Sequence, residues 1–286
     1  MNNYYIEANH LIKEFKNKVV VQDISFGVQP GTIFGLLGPN GAGKTTTLRM
    51  LTGQLQPNSG KALINGKDPI RNHETVRKEI GIVFEDQNIY ERLNARQNLL
   101  FTCWLYHLPP KRADEALEMV GLLKDAKRTV QNFSTGMKQR LMIARAIMSN
   151  PLALFLDEPA RGLDPVSARN IREIIQNLAR NGAAIILTTH MMDEAEFLCH
   201  QVGFINHGKL IACSTPEQLK LHYSGKNVKV TLQHEDNTET SAMFNLEQES
   251  DRIRLAHELM ENKVTILQSQ QASLEDVFIH LASQNA

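Results

Sequence analysis

Gly38-Pro39-Asn40-Gly41-Ala42-Gly43-Lys44-Thr45 is the segment that most limits what this 286-residue chain can fold into. It follows the apolar run Ile33 to Leu37 and precedes Thr46 to Leu51, which suits a strand, a tight loop and a helix in that order. In the spacing G-x-x-x-x-G-K-T, glycines allow successive backbone N–H groups to point inward, and a helix beginning near Lys44 adds its positive dipole end. Such a loop cradles phosphate oxygens. Lys44 is placed to reach β and γ phosphates, and Thr45 to offer a hydroxyl to Mg²⁺.

Two later segments complete a site of this kind. Leu152-Ala153-Leu154-Phe155-Leu156 is a short apolar strand that ends in Asp157-Glu158. An aspartate at that strand end can hold Mg²⁺ directly or through water, and a second carboxylate can accept a proton from water attacking the γ phosphate. Alone, an apolar run ending in two acids is a weak signal; beside a phosphate loop it is a strong one. The run Ile185 to Thr189 ends at His190, which is expected to contact the γ phosphate or the attacking water. The catalytic set expected from the residues is Glu158, His190 and Lys44.

Composition excludes several classes. The 31 Lys and Arg balance 31 Asp and Glu, so the chain lacks the basic excess with which nucleic-acid clamps displace counterions. With 42% hydrophobic and 22% charged residues it is neither disordered nor fibrous. The charge-free stretch Ile24 to Gly43 holds six glycines and two prolines and does not suit a membrane span. Met1 to Lys16 lacks the apolar centre of a secretory leader, so a cytosolic protein is expected. Cys103, Cys199 and Cys213 are far apart, contain no C-x-x-C pair, and are expected to be buried apolar side chains.

The remaining patterns give an α/β fold. β character recurs over Tyr4 to Ile6, Val19 to Val21, Ile24 to Val28 and Thr32 to Leu37. The wholly apolar runs at 152–156 and 183–188 suit parallel strands buried on both faces, with the chemistry at their C-terminal ends. From about 93 to 150 a helical part is expected, interrupted by Pro109-Pro110; its apolar stretch Leu99 to Leu108, with Trp104 and Tyr106, is either core or a docking surface. After Ser224 the pattern changes. Alternating Val228, Val230 and Leu232, a helix near 251–261, a strand at Val264 to Ile266 and a capped final helix with Leu274, Val277, Phe278 and Leu281 suggest a separate α+β module.

These motifs, in this order, resemble the ATP-binding cassette (ABC) family. Phe133-Ser134-Thr135-Gly136-Met137-Lys138-Gln139-Arg140 is similar to the family's signature loop, and Arg161-Gly162-Leu163-Asp164 to its D-loop. Ile80 to Glu85 resembles the strand entering the Q-loop, and Phe15 occupies the place of the aromatic residue that stacks on adenine. The resemblance covers about Tyr4 to Thr215. It implies a P-loop NTPase cassette over 1–223, with a parallel-sheet core, N-terminal antiparallel strands and the helical part at about 93–150, followed by an accessory domain over 224–286.

The implied cofactors are ATP and Mg²⁺. ATP would be held by Phe15, by Gly38, Pro39, Asn40, Gly41, Ala42, Gly43, Lys44, Thr45 and Thr46, and across a pair of cassettes by Ser134, Gly136 and Asp164. The metal would fall to Thr45, Asp157 and Glu85. The implied partners are a second cassette, a copy or close relative, and integral membrane permease subunits, with the chain peripheral on the cytoplasmic face of the membrane; no nucleic acid is expected. Thr135 and Met137 stand where the family commonly has Gly and Gln. Glu85 replaces the Q-loop glutamine, an acceptor-only carboxylate in place of an amide, which suggests slow or metal-sensitive hydrolysis. The signature variant and the ending Ala272 to Phe278 resemble the branch whose ATPases serve bacterial exporters of drugs, antibiotics or polysaccharides. The implied function is ATP-driven export through separate membrane chains; a soluble cassette acting as a clamp or switch on ribosomes or DNA is the alternative.

Overall fold

A computed structural model describes residues 4–84, 89–224, 227–233, 238–261, 264–269 and 272–284. The chain divides into two compact units, Met1–Ser214 and Thr215–Ala286.

The first unit opens with β1 (Ile6–Phe15), β2 (Lys18–Val28) and β3 (Ile33–Leu37), then α1 (Lys44–Leu51), β4 (Ser59–Ile64), α2 (His73–Glu79) and β5 (Ile80–Val83). Three helices follow, α3 (Ala95–Tyr106), α4 (Lys111–Met119) and α5 (Thr135–Ile147). The chain then alternates through β6 (Ala153–Asp157), α6 (Pro165–Arg180), β7 (Ala184–Thr189), α7 (Met192–Leu198), β8 (Gln201–Asn206) and β9 (Lys209–Ser214).

Two sheets result. β2-β1-β4 is antiparallel, and the larger sheet runs β5-β6-β7-β3-β8-β9, parallel except for the edge strand β9. Every residue of β3, β6 and β7 is buried, as continuous apolar runs require when both faces of a parallel sheet are covered. The core between the sheets joins Ile6, Leu11, Val21 and Ile24 to Phe34, Leu48, Phe155 and Ile186. The two separate β segments expected at 19–21 and 24–28 form one strand. Register shifts along the β1–β2 pair absorb the irregularity, and Asp23 takes a positive φ of 54° where the sequence pattern breaks.

The helical part begins with a capping box, in which Asn94 Oδ1 accepts from the Gln97 N–H at 2.8 Å and Gln97 Oε1 accepts from the Asn94 N–H at 2.9 Å. Pro109 and Pro110 separate α3 from α4, and the bidentate Arg96–Asp114 pair, at 2.7 and 3.0 Å, ties the two helices together. The stretch Leu99 to Leu108 divides by helical face. Leu99 and Cys103 are buried, whereas Phe101, Leu105 and above all Trp104, 72% exposed, face outward.

The second unit contains α8 (Pro216–Tyr223), β10 (Asn227–Gln233), β11 (Glu239–Asn245), α9 (Glu249–Met260), β12 (Val264–Ser269) and α10 (Leu274–Gln284). Its antiparallel sheet, β11-β10-β12, places Val228, Val230 and Leu232 in a core with Phe244 and Leu255. The unit begins before α8, not after it, because α8 packs on α10: the Tyr223 and His280 rings stand 5.4 Å apart and Ser224 Oγ accepts from the Ala272 N–H. Cys103 and Cys199 are buried as expected. Cys213 is not; it lies exposed on the edge strand β9.

Candidate functional site

The parallel sheet brings three strand ends together. Leu37 pairs with Thr189 and Asp157 with Thr188, so the loop after β3, the acids ending β6 and the histidine after β7 emerge at one edge. The loop runs close to the backbone around it. A Cβ on Gly38 would lie 2.2 Å from the Ile205 carbonyl oxygen, and Gly43, at a φ of 110°, caps α1 where a Cβ would meet the Val20 carbonyl at 2.8 Å. Glycine is required at both positions by steric exclusion.

Lys44 is buried and folds back over the loop, its Nζ donating to the carbonyls of Gly38 at 2.7 Å and Pro39 at 3.2 Å. The same Nζ lies 3.7 Å from Glu158 Oε1. Burial lowers the Lys44 pKa from its ordinary value of 10.5, opposed by the nearby carboxylates of Glu158 and Asp157. Thr45 Oγ1 donates to Asp157 Oδ2 at 3.0 Å, and the Thr188 hydroxyl donates to Asp157 Oδ1. Thr46 is half-buried on α1, beside Thr47, whose hydroxyl returns to the Gly43 carbonyl.

Glu158 adopts a φ of 49°, an uncommon conformation for a residue other than glycine. It is held there because its N–H reaches both the carbonyl and the hydroxyl of Thr188, each at 3.1 Å. Strain of this kind costs about 1–3 kcal/mol and survives where surrounding contacts over-determine it. The result turns the carboxylate toward His190, whose Nδ1 lies 2.9 Å from Oε2. The Glu158 side chain is 7% exposed and that of His190 43%. Lys44, Asp157, Glu158 and His190 thus form one contiguous polar group, with Thr45 and Thr188 as neutral donors.

The other candidates are placed elsewhere. Phe15 ends β1 and is exposed, with Lys13 Nζ 5.1 Å from its ring centre; β1 and β2 pack against α1. Ser134 is the exposed N-cap of α5 and accepts from the Met137 N–H at 3.3 Å. Gly136 is buried, and a Cβ there would meet Ser167 Oγ at 2.5 Å, so the α5–α6 contact within one chain already demands glycine. Asp164 caps α6 by accepting from the N–H groups of Val166 and Ser167, and Ser167 holds its carboxyl below the usual range. Glu85, expected as a third metal ligand, lies outside the described residues.

Thr188 is a site residue that sequence reasoning missed. Its signal was the Thr188-Thr189-His190 run, but only the β6–β7 register shows that its hydroxyl meets Asp157. The pattern as a whole, a glycine loop with a buried lysine, a strand-end aspartate bonded to the loop threonine and a shielded glutamate, is that of a nucleoside-triphosphate-hydrolysing site on a parallel sheet.

Known proteins give the finer class. A sequence model of the ABC transporter family matches residues 21–161. The fluoroquinolones export ATP-binding protein of Mycobacterium tuberculosis is 38% identical over 264 residues, 92% of this chain and 88% of that one. The bacitracin transport ATP-binding protein BcrA of Bacillus licheniformis is 38% identical over 248 residues, 86% and 79% of the two chains. Among solved structures, cbiO1 from Clostridium perfringens, part of the ABC transporter complex cbiONQ, superposes with a TM-score of 0.71 at 28% identity, over 76% of this chain and 91% of that one. The chain belongs to the ABC transporter family as an ATP-binding subunit, and it is an ATPase.

Proposed function

We propose that the chain hydrolyses ATP with Mg²⁺ as one member of a pair of cassettes, and that this cycle drives export of a drug-like or antibiotic substrate through separate membrane subunits. The observation that carries the hydrolytic reading is the position of Glu158, shielded from solvent and in reach of both Lys44 and His190. Support for export comes from relatives of similar length that are named for fluoroquinolone export and bacitracin transport. The chain would sit on the cytoplasmic side of its membrane partners; among the described residues no helix is long and apolar enough to cross a membrane.

In this reading Lys44 exchanges the Gly38 and Pro39 carbonyls for β and γ phosphate oxygens, a gain in charge-assisted hydrogen bonding. Glu158, freed from Lys44, takes the proton of the attacking water. His190 holds the Glu158 carboxylate through Nδ1 and keeps its other nitrogen for the γ phosphate. Thr45 and Asp157, a hydroxyl and a carboxylate, are the hard oxygen donors that would hold Mg²⁺. Mg²⁺ bound there would neutralise charge on the β and γ phosphates. Ser134 at the N-terminus of α5 meets the γ phosphate of the opposite subunit, and ATP shifts the population toward the closed pair.

The membrane partner would dock in the cleft of about 690 Å³ between α2, β5 and α3, lined by Arg77, Tyr90, Phe101, Leu105, Tyr106 and Arg145. Trp104 stands exposed beside Phe101, their ring centres 6.1 Å apart.

The decisive variant is Glu158→Gln. Turnover should fall at least about 100-fold while ATP still binds and the pair accumulates. Full activity would assign the base elsewhere. Expression with its membrane subunits should yield a complex retained in detergent, and absence of that complex would refute the transporter reading.

A further inference from the structure

Helix α7 carries a buried acid that none of the steps above uses. Glu194 is 5% exposed. Its Oε2 accepts from the Thr189 hydroxyl at 3.2 Å, and its Oε1 is buried with no hydrogen-bond partner among the described residues. Thr189 is itself fully buried, and its hydroxyl oxygen accepts from the Met191 N–H at 3.0 Å. The hydroxyl just before His190 therefore spans it, accepting from the Met191 N–H and donating to Glu194 beyond, and Glu194 sets the direction in which it donates.

Stability does not explain this choice of residue. A buried carboxyl with one unpartnered oxygen is costly, and an apolar side chain of similar size would fill the space at lower cost. Burial raises the Glu194 pKa above its ordinary value of 4.5; the Thr189 hydrogen bond and Arg172 oppose the rise, Glu158 adds to it and His190 opposes it. Besides these groups, Cys199, which follows the last residue of the helix, has its thiol pushed up by burial and then by Glu194. The acid is thus set among the catalytic pair and one arginine of α6, not in a surface ion-pair network.

We propose that Glu194 is a positioning residue for hydrolysis: acting through Thr189, it fixes the turn that presents His190 to Glu158. The proposal rests on the roles given to Glu158 and His190 above. It differs from them in acting without touching nucleotide.

The test uses the full chain labelled at its ten histidines, with the His190 resonance assigned by its loss in His190→Gln. Thr189→Val, which keeps the shape and removes the hydroxyl, should move the His190 titration midpoint by at least about 0.5 pH unit. It should also lower kcat about tenfold with the KM for ATP within about twofold of wild type. Glu194→Leu should do the same. Thr189→Ser and Glu194→Gln, which keep the hydrogen bond, should restore both readouts toward wild type. A folded Thr189→Val with an unchanged His190 midpoint overturns the proposal, as does a parallel loss of kcat and ATP affinity or a failure of Thr189→Ser to rescue. The titration needs no turnover, so a wild-type chain unable to hydrolyse ATP would defeat the hydrolytic reading while the His190 midpoint still decides the role of Glu194.

Discussion

Lys44 Nζ lies 3.7 Å from Glu158 Oε1, with both side chains 7% exposed, so the candidate phosphate-binding cation and the candidate base neutralise each other. Lys44→Met removes this partner and leaves Glu158 to His190. The loss should lower unfolding stability by about 1–2 kcal/mol, less than for a fully isolated buried pair, as read by chemical denaturation. The dissociation constant for ATP should rise at least about 100-fold by calorimetry.

The same lysine sets a pH dependence. Its folded pKa is below 10.5, so between the two values the unfolded chain binds more protons. Stability contributed at this position therefore rises as pH rises through the lowered value toward 10.5. Lys44→Met should lack that slope, which a comparison of unfolding midpoints across alkaline pH detects.

Thr188→Val tests the donor side of the aspartate. The valine fits the fully buried strand position but strips Asp157 of one hydrogen bond and the Glu158 N–H of one acceptor. A cost of about 1–3 kcal/mol is expected. With the Thr188 donor gone and the Thr45 hydroxyl still bonded to Asp157 Oδ2, the Mg²⁺ concentration for half-maximal ATPase activity should rise, measured by metal titration at saturating ATP.

Gly136→Ala separates the contact that demands glycine within one chain from the role proposed for Gly136 across a pair. The added methyl meets Ser167 Oγ at 2.5 Å and Cβ at 2.7 Å within the same chain. Destabilisation of about 1–3 kcal/mol should follow. Ser167→Gly should recover most of it, and a double-mutant cycle reports the coupling. If stability returns but ATP-driven pairing does not, Gly136 also serves the opposite subunit.

Trp104→Ala separates docking from folding. At 72% exposure its removal should change stability by no more than about 0.5 kcal/mol. Retention of the membrane subunits during purification should fall several-fold, measured by the ratio of the two components.

Legibility in the sequence followed how local each feature is. The phosphate loop was readable because Gly38 through Thr45 are contiguous and their glycines answer to backbone contacts that any such loop must make. Asp157, Glu158 and His190 were readable because apolar strands end at them. Thr188 and Glu194 were not, since their partners depend on strand register and helix placement. The stretch Leu99 to Leu108 could not be divided into core and surface by composition; Leu99 and Cys103 face inward and Trp104 outward only once α3 is laid against α4 and α5. Residues 215–223 fall with the first unit when the boundary is read from the change of pattern after Ser224, yet the packing of α8 against α10 assigns them to the second.

The helices α3, α4 and α5 leave the sheet after β5 and return to it at β6, and those two strands are direct neighbours. The excursion therefore has the form of a crank handle whose two bearings sit side by side. In the docking reading, a push near Trp104 would reach the sheet at adjacent points, and one of the two strands there ends, four residues past Ala153, at Asp157. Leverage and chemistry share a single strand.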